Sequence, residues 1–112
     1  MPIIAANIIP AKNMENAQTV QYVSPSSTTT IIDKFTATNF SSSMVNVSVN
    51  LAAVSEATGN SNLIVKTRTL QPGETYTFPE IVGHTLPSGG FVSTLASAAA
   101  AVNLRASGRE IS

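Results

Sequence analysis

The chain has 112 residues, enough for one domain with a modest core and too few for two. Hydrophobic residues make up 43% of it and charged residues only 11%, so Ser, Thr, Asn and Ala must cover most of the exterior, a surface suited to contact with other proteins. Six basic residues, scattered at Lys12, Lys34, Lys66, Arg68, Arg105 and Arg109, balance six acids, which argues against nucleic-acid binding, and the lack of cysteine excludes disulfides and thiolate sites.

The opening Met1-Pro2-Ile3-Ile4-Ala5-Ala6-Asn7-Ile8-Ile9-Pro10 is apolar but has no basic leader and is broken by Pro and Asn. It reads neither as a secretion signal nor as a membrane span, so a cytoplasmically made protein with no membrane partner is expected. Proline near both ends disfavours a helix. Residues 1–16 therefore read as an extended arm that packs on its own domain or reaches a neighbouring subunit, with Ile3, Ile4, Ile8 and Ile9 as candidate partner-binding residues. Residues 17–112 form the expected single domain.

Residues 17–24 read as the first regular strand, stopped by Pro25-Ser26-Ser27. Thr28 to Phe40 reads as a strand with Ile31, Phe35 and Ala37 on one face; Asp33 falls on that face too, so either a bulge turns the register or the carboxylate finds a partner. After Ser41-Ser42-Ser43, Val45, Val47, Val49 and Leu51 alternate with Met44, Asn46, Ser48 and Asn50, the pattern of a sheet wet on one side. Residues 53–60 read as a flexible connection, and Leu63, Val65 and Thr67 then alternate with Ile64, Lys66 and Arg68.

Gln71-Pro72-Gly73-Glu74 has the Pro and Gly placement of a type II turn. Tyr76 and Phe78 share a face of the next strand, which Pro79 ends. Pro87-Ser88-Gly89-Gly90 is a second turn before the strand Phe91–Ser97. Ala98-Ala99-Ala100 is too short to nucleate a helix. Val102, Leu104 and Ala106 point inward in the last strand, with Gly108 before a polar tail. About seven or eight short strands without a helical period predict an all-β antiparallel sandwich, immunoglobulin-like or jelly-roll.

Chemistry is sparse in this pattern. His84 is the sole histidine, and neither a nucleophile elbow nor an oxyanion loop surrounds the serines that could join it and Asp33 in a triad, so a structural or surface role is expected. Glu56, Glu74, Glu80 and Glu110 are dispersed singletons rather than a carboxylate pair, and read as solubilising residues. The glycines fit turns rather than a phosphate loop. No catalytic, metal or cofactor site is expected, and the protein is read as a non-enzyme.

Residues 28 to 111 carry a resemblance. Thr-Thr-Thr-Ile-Ile-Asp-Lys-Phe-Thr-Ala-Thr-Asn-Phe, the valine-alternating strand, Ser-Asn-Leu-Ile-Val-Lys-Thr-Arg-Thr-Leu-Gln-Pro-Gly-Glu-Thr-Tyr, Leu-Pro-Ser-Gly-Gly-Phe-Val-Ser-Thr-Leu-Ala-Ser and Val-Asn-Leu-Arg-Ala-Ser-Gly-Arg-Glu-Ile together resemble small β-sandwich virion proteins of tailed bacteriophages. The resemblance implies a capsid decoration or cement protein in the virion, bound to the phage major capsid protein or other virion proteins, and a homo-oligomer such as a trimer. It equally admits a neck, tail or fibre-adaptor subunit. The alternative from another class is a peptide- or glycan-binding module.

Overall fold

The alternating runs of the sequence become strands in the computed structural model, which describes residues 2–112. In chain order these are β1 (Ile3–Asn13), β2 (Thr19–Val23), β3 (Thr29–Asn39), β4 (Val45–Ala52), β5 (Leu63–Leu70), β6 (Thr75–Thr77), β7 (Thr85–Leu86), β8 (Phe91–Ala96) and β9 (Val102–Ile111). One sheet has the order β1-β9-β3-β6, with β7 also paired to β3; the other is β2-β8-β4-β5. The antiparallel pairs β1–β9, β2–β8, β3–β6 and β4–β5 are nested, as in one long hairpin rolled up on itself. The sandwich is therefore a jelly roll, which decides between the two topologies the sequence left open.

This winding gathers the turns at two ends. Residues 14–18, 40–44, 71–74 and 97–101 meet at one, tied by Asn39 N–H to Glu74 O at 2.9 Å and Phe40 N–H to Ala101 O at 3.0 Å. The other end holds residues 24–28, 53–62 and 78–90, and there Ser112 N–H donates to Pro2 O at 3.1 Å. Between the sheets lie the inward rows that the sequence predicts, Val45, Val47 and Val49 from β4 and Val102, Leu104 and Ala106 from β9, all buried. Phe35 and Phe78 meet edge to face at 5.3 Å, and Tyr76 adds a similar contact to Phe78 at 4.7 Å. Each such pair contributes about 0.5–1.5 kcal/mol beyond its buried area. Gly73 (φ 78°) and the Glu74 N–H bond to Gln71 O at 3.0 Å close the expected type II turn.

The structure corrects four expectations. Residues 2–16 are extended and take the first of the two courses expected, packing on their own domain, but as an integral strand and not as an arm apart from it: β1 runs along β9 from Ile3↔Ile111 to Asn13↔Asn103, and Met14 is buried. Met1, the first residue of that expected arm, lies outside the described residues. A one-domain sheet thus begins at residue 3, because pairing with β9 and burial of Ile8, Ile9 and Met14 stabilise the segment more than an extended excursion would.

In β3 the bulge and the partner both exist at Asp33. Ile32 pairs with Gly108 and Lys34 with Ser107, so Asp33 is the extra residue, and its carboxylate binds Arg109 through Nε and Nη2, each at 3.0 Å. The bulge puts two consecutive side chains outward, which makes Ile32, not Ile31, the buried residue above Phe35 and Ala37. Gly108 is not a stop before a polar tail but lies inside β9, where β3 passes so close that a side chain has no room.

The connection after β4 is also more ordered than expected. Buried Asn50 donates to Gly59 O at 3.1 Å and to Asn62 Oδ1 at 2.7 Å, and accepts from Gln18 at 3.3 Å. Asn62 in turn donates to Ala57 O at 2.9 Å and to Glu56 at 3.1 Å. These amides supply the backbone of 53–62 with the partners that a strand ladder would otherwise give.

Candidate docking surfaces

The strands leave four sheet edges, and they are unequally defended against another chain. On one side of the sandwich, β5 carries Lys66 and Arg68, two irregularities of pairing with β4, and Thr67 at φ 59°. Beside it β6 is three residues long, preceded by Pro72 and followed by Pro79. Charges, bulges, shortness and proline are the devices that stop an edge from recruiting a strand. Arg68 also lies over the Tyr76 ring at 3.8 Å, covering that side further.

The opposite side, made by β1 and β2, is different. Two register shifts and Pro10 guard β1 beyond Ala6, but Ile3 to Ala6 pair regularly with β9 and carry no charge. Since Pro2 O receives Ser112 N–H, the antiparallel alternation turns the N–H and C=O of Ile3 and Ala5 away from β9, toward the free edge. Ile3 and Ile4 are 63% and 56% exposed, and on β2 Val20 and Val23 are 51% and 52% exposed. A bulge between Val20 and Tyr22 is the single irregularity there.

The candidate partner residues therefore divide. Ile3 and Ile4 are available at the surface, whereas Ile8 and Ile9 are 5% and 0% exposed and belong to the protein's own core. The irregular pairing between Ala6 and Ile9 turns two consecutive isoleucines inward, which simple alternation does not anticipate. Val20 and Val23 were missed because neither is remarkable in sequence; what exposes them is β2's position at an edge. Phe40 and Met44, exposed at the turn between β3 and β4, and Val54 and Val82 at the other end are further apolar points.

The two sheet faces differ as well. The outer face of β2-β8-β4-β5 is partly roofed by residues 57–62 through Asn50, and by Gln18, which donates to Ser93 Oγ at 2.7 Å. The outer face of β1-β9-β3-β6 is open. Asn103, Arg105 and Ser107 from β9 lie beside Lys34, Thr36 and Thr38 from β3 along a shallow groove of about 310 Å³.

The residues considered for chemistry are dispersed. His84 is exposed in a depression shared with Glu56 and Ser61, and its ring makes no hydrogen bond among the described residues. Glu56 Oε1 is already held by Ala53 N–H at 3.0 Å and Asn62 at 3.1 Å, which keep its carboxyl below the usual range. Asp33, the carboxylate that a triad with His84 would have needed, is bound to Arg109. The other carboxylates have local partners rather than a solubilising role alone: Glu74 caps Gln71 N–H at 2.7 Å, Glu80 accepts from Tyr76 at 3.0 Å, and Glu110 accepts from Tyr22 at 2.5 Å. Among the described residues, no group of three or more His, Asp or Glu is placed to hold a metal ion.

The fold and these surfaces define an all-β jelly-roll domain with one side, formed by the edges of β1 and β2, less defended than the other, and one open sheet face. No family model, curated protein or solved structure matches the chain.

Proposed function

We propose that this chain is a non-enzymatic virion structural protein that docks on a phage head shell and cements it. The observation that carries the reading is the contrast between the two sides of the sandwich: β5 and β6 are guarded by charge, bulges and proline, while Ile3, Ile4, Val20 and Val23 stand exposed on the edges of β1 and β2. An isolated domain gains from defending all its edges, so leaving Ile3 to Ala6 and Val20 to Val23 uncharged, with exposed aliphatic side chains, suits attachment to another protein. The sequence resemblance to phage virion β-sandwiches gives that attachment its setting. Jelly rolls serve in viral capsid and lectin domains, though the topology alone carries no function.

Cementing needs no large single interface, because copies arrayed on a repeating shell add many modest contacts into a strong total. Quantitative mass spectrometry of purified particles tests the reading. A copy number comparable with that of the major shell protein is the expected result. A single ring's worth would move the protein to the neck or tail, and its absence from particles would overturn the virion reading.

A further inference from the structure

We infer that the open outer face of the β1-β9-β3-β6 sheet is a docking surface for a protein partner that presents carboxylates beside a small apolar contact. The inference rests on the docking reading above but not on the identity of the particle or its location there. Its basis is the way the fold disposes of positive charge. Lys12 pairs with Glu15 at 2.8 Å, Arg68 with Glu74 at 3.7 Å and Arg109 with Asp33 at 3.0 Å. Lys34, Lys66 and Arg105 form no salt bridge among the described residues; Lys66 stands apart on β5, whereas Lys34 and Arg105 stand together on this one face.

Pairing puts them there. Lys34 is opposite Ser107 and Arg105 is opposite Thr36, so the two cations are diagonal neighbours on adjacent strands, about 7–8 Å apart at their side-chain bases. The neighbouring acid, Asp33, is already bound by Arg109, so it forms no ion pair with either of them. Around them the lining is hydroxyl and amide: Thr36, Thr38, Asn103 and Ser107. A second hollow, of about 530 Å³, continues from Arg105 and Ser107 to Asn7, Ala5 and the Arg109–Asp33 ion pair, whose carboxylate is already held by the guanidinium. Carboxylates of a partner would neutralise the Lys34–Arg105 pair and receive hydrogen bonds from the hydroxyls.

The apolar part lies at the same face's far end. Ile3, Ile111 and Thr29 form one cross-strand row and Ala5, Arg109 and Ile31 the next, with side chains on the outer side because Ile4, Glu110 and Thr30 occupy the inner one. Ile3 and Ile111 from the first row and Ile31 from the second thus share the face with the cationic groove, beyond the Arg109–Asp33 ion pair. Two unpaired cations are too few to track a phosphate backbone, and a polysaccharide would leave the isoleucine row without a counterpart, so an acidic protein surface fits best.

The test is an NMR titration of the full chain with a short peptide of alternating glutamate and leucine. Expected are amide shifts concentrated at Lys34, Arg105, Ser107 and Ile111, shrinking as salt is raised, and an affinity reduced about tenfold or more in the double variant Lys34→Glu/Arg105→Glu. Lys66→Glu, a charge reversal on β5, should leave the titration unchanged, and unchanged melting temperatures establish that the variants fold. Shifts on β4 and β5, no shifts at all, undiminished binding by the double variant, or tighter binding of heparin or of anionic lipid vesicles than of the peptide would each overturn the inference. A failed particle count with a successful titration would sink the virion reading alone; the reverse outcome would sink this one.

Discussion

Replacing Gly108 by alanine adds one methyl group where β9 passes the bulge in β3. That methyl would sit well inside contact distance of the Ile31 carbonyl oxygen, 3.1 Å from the Ile31 carbonyl carbon and 3.3 Å from Ile32 Cα. All three obstacles are backbone, so no side chain can rotate away. Restoring carbon contacts to about 3.5 Å or more requires the strands to separate. Overpacking of this kind costs about 1–3 kcal/mol, and stretching two flanking ladder hydrogen bonds adds about 1 kcal/mol each, for a total near 3–5 kcal/mol. In a domain of this size the melting temperature should fall by roughly 12–20 °C.

The control is Gly59→Ala, where φ is −176° and a methyl would meet nothing within 4 Å; its stability should stay within about 0.5 kcal/mol of the parent. Thermal and urea unfolding followed by circular dichroism measure both. Deleting Asp33, the extra residue of the bulge, should partly rescue Gly108→Ala, giving a positive coupling in the double-mutant cycle. A Gly108→Ala protein that melts within a degree or two of the parent would refute the close packing of β3 on β9, and with it the account of why glycine stands there.

Three further predictions address other parts of the fold. Ile9→Ala should cost about 2–5 kcal/mol in chemical unfolding because the side chain is fully buried, whereas Ile3→Ala should cost under about 0.5 kcal/mol; equal effects would return β1 to the status of a loose arm. Asn50→Ala should cost about 1–3 kcal/mol, since it removes the two hydrogen bonds by which β4 holds Asn62 Oδ1 and the Gly59 carbonyl, and limited proteolysis should then cut within residues 53–62 faster; an unchanged cleavage rate would show that the loop is held otherwise. Burial, reinforced by the hydrogen bond to Glu110, pushes the Tyr22 phenol up to about 12. Because this folded value lies above the unfolded value of about 10, the associated stability is fully present below pH ~10 and disappears as pH rises through about 12. Ultraviolet titration should show this late tyrosinate, and Tyr22→Phe should remove both it and that part of the alkaline instability; ionisation of Tyr22 near the ordinary value would contradict the packing of Thr30, Ser24 and Glu110 around its hydroxyl.

Much of the fold was legible because it depends on short-range rules. The valines at 45, 47 and 49 and the row Val102, Leu104 and Ala106 needed only strict alternation, and Pro72-Gly73 needed only the φ values those two residues favour. The candidate sites were less legible. Ile3 and Ile8 look alike in sequence, but Ile3 faces the open outer side of its sheet, and Ile8 falls where a shift in pairing turns it inward. Asp33 announced an irregularity without choosing between a bulge and a partner, and the structure supplies both.

The sequence by itself determined an all-β sandwich, most of its strands and the sparsity of its charge, since alternation, turn chemistry and composition are local properties of the chain. Tertiary structure alone decided the jelly-roll winding, the incorporation of residues 3–13 as an edge strand, and the meeting of Lys34 with Arg105 on one open face. Those outcomes depend on which strands pair and in what register, and pairing joins residues as distant as 3 and 111 that no local pattern relates.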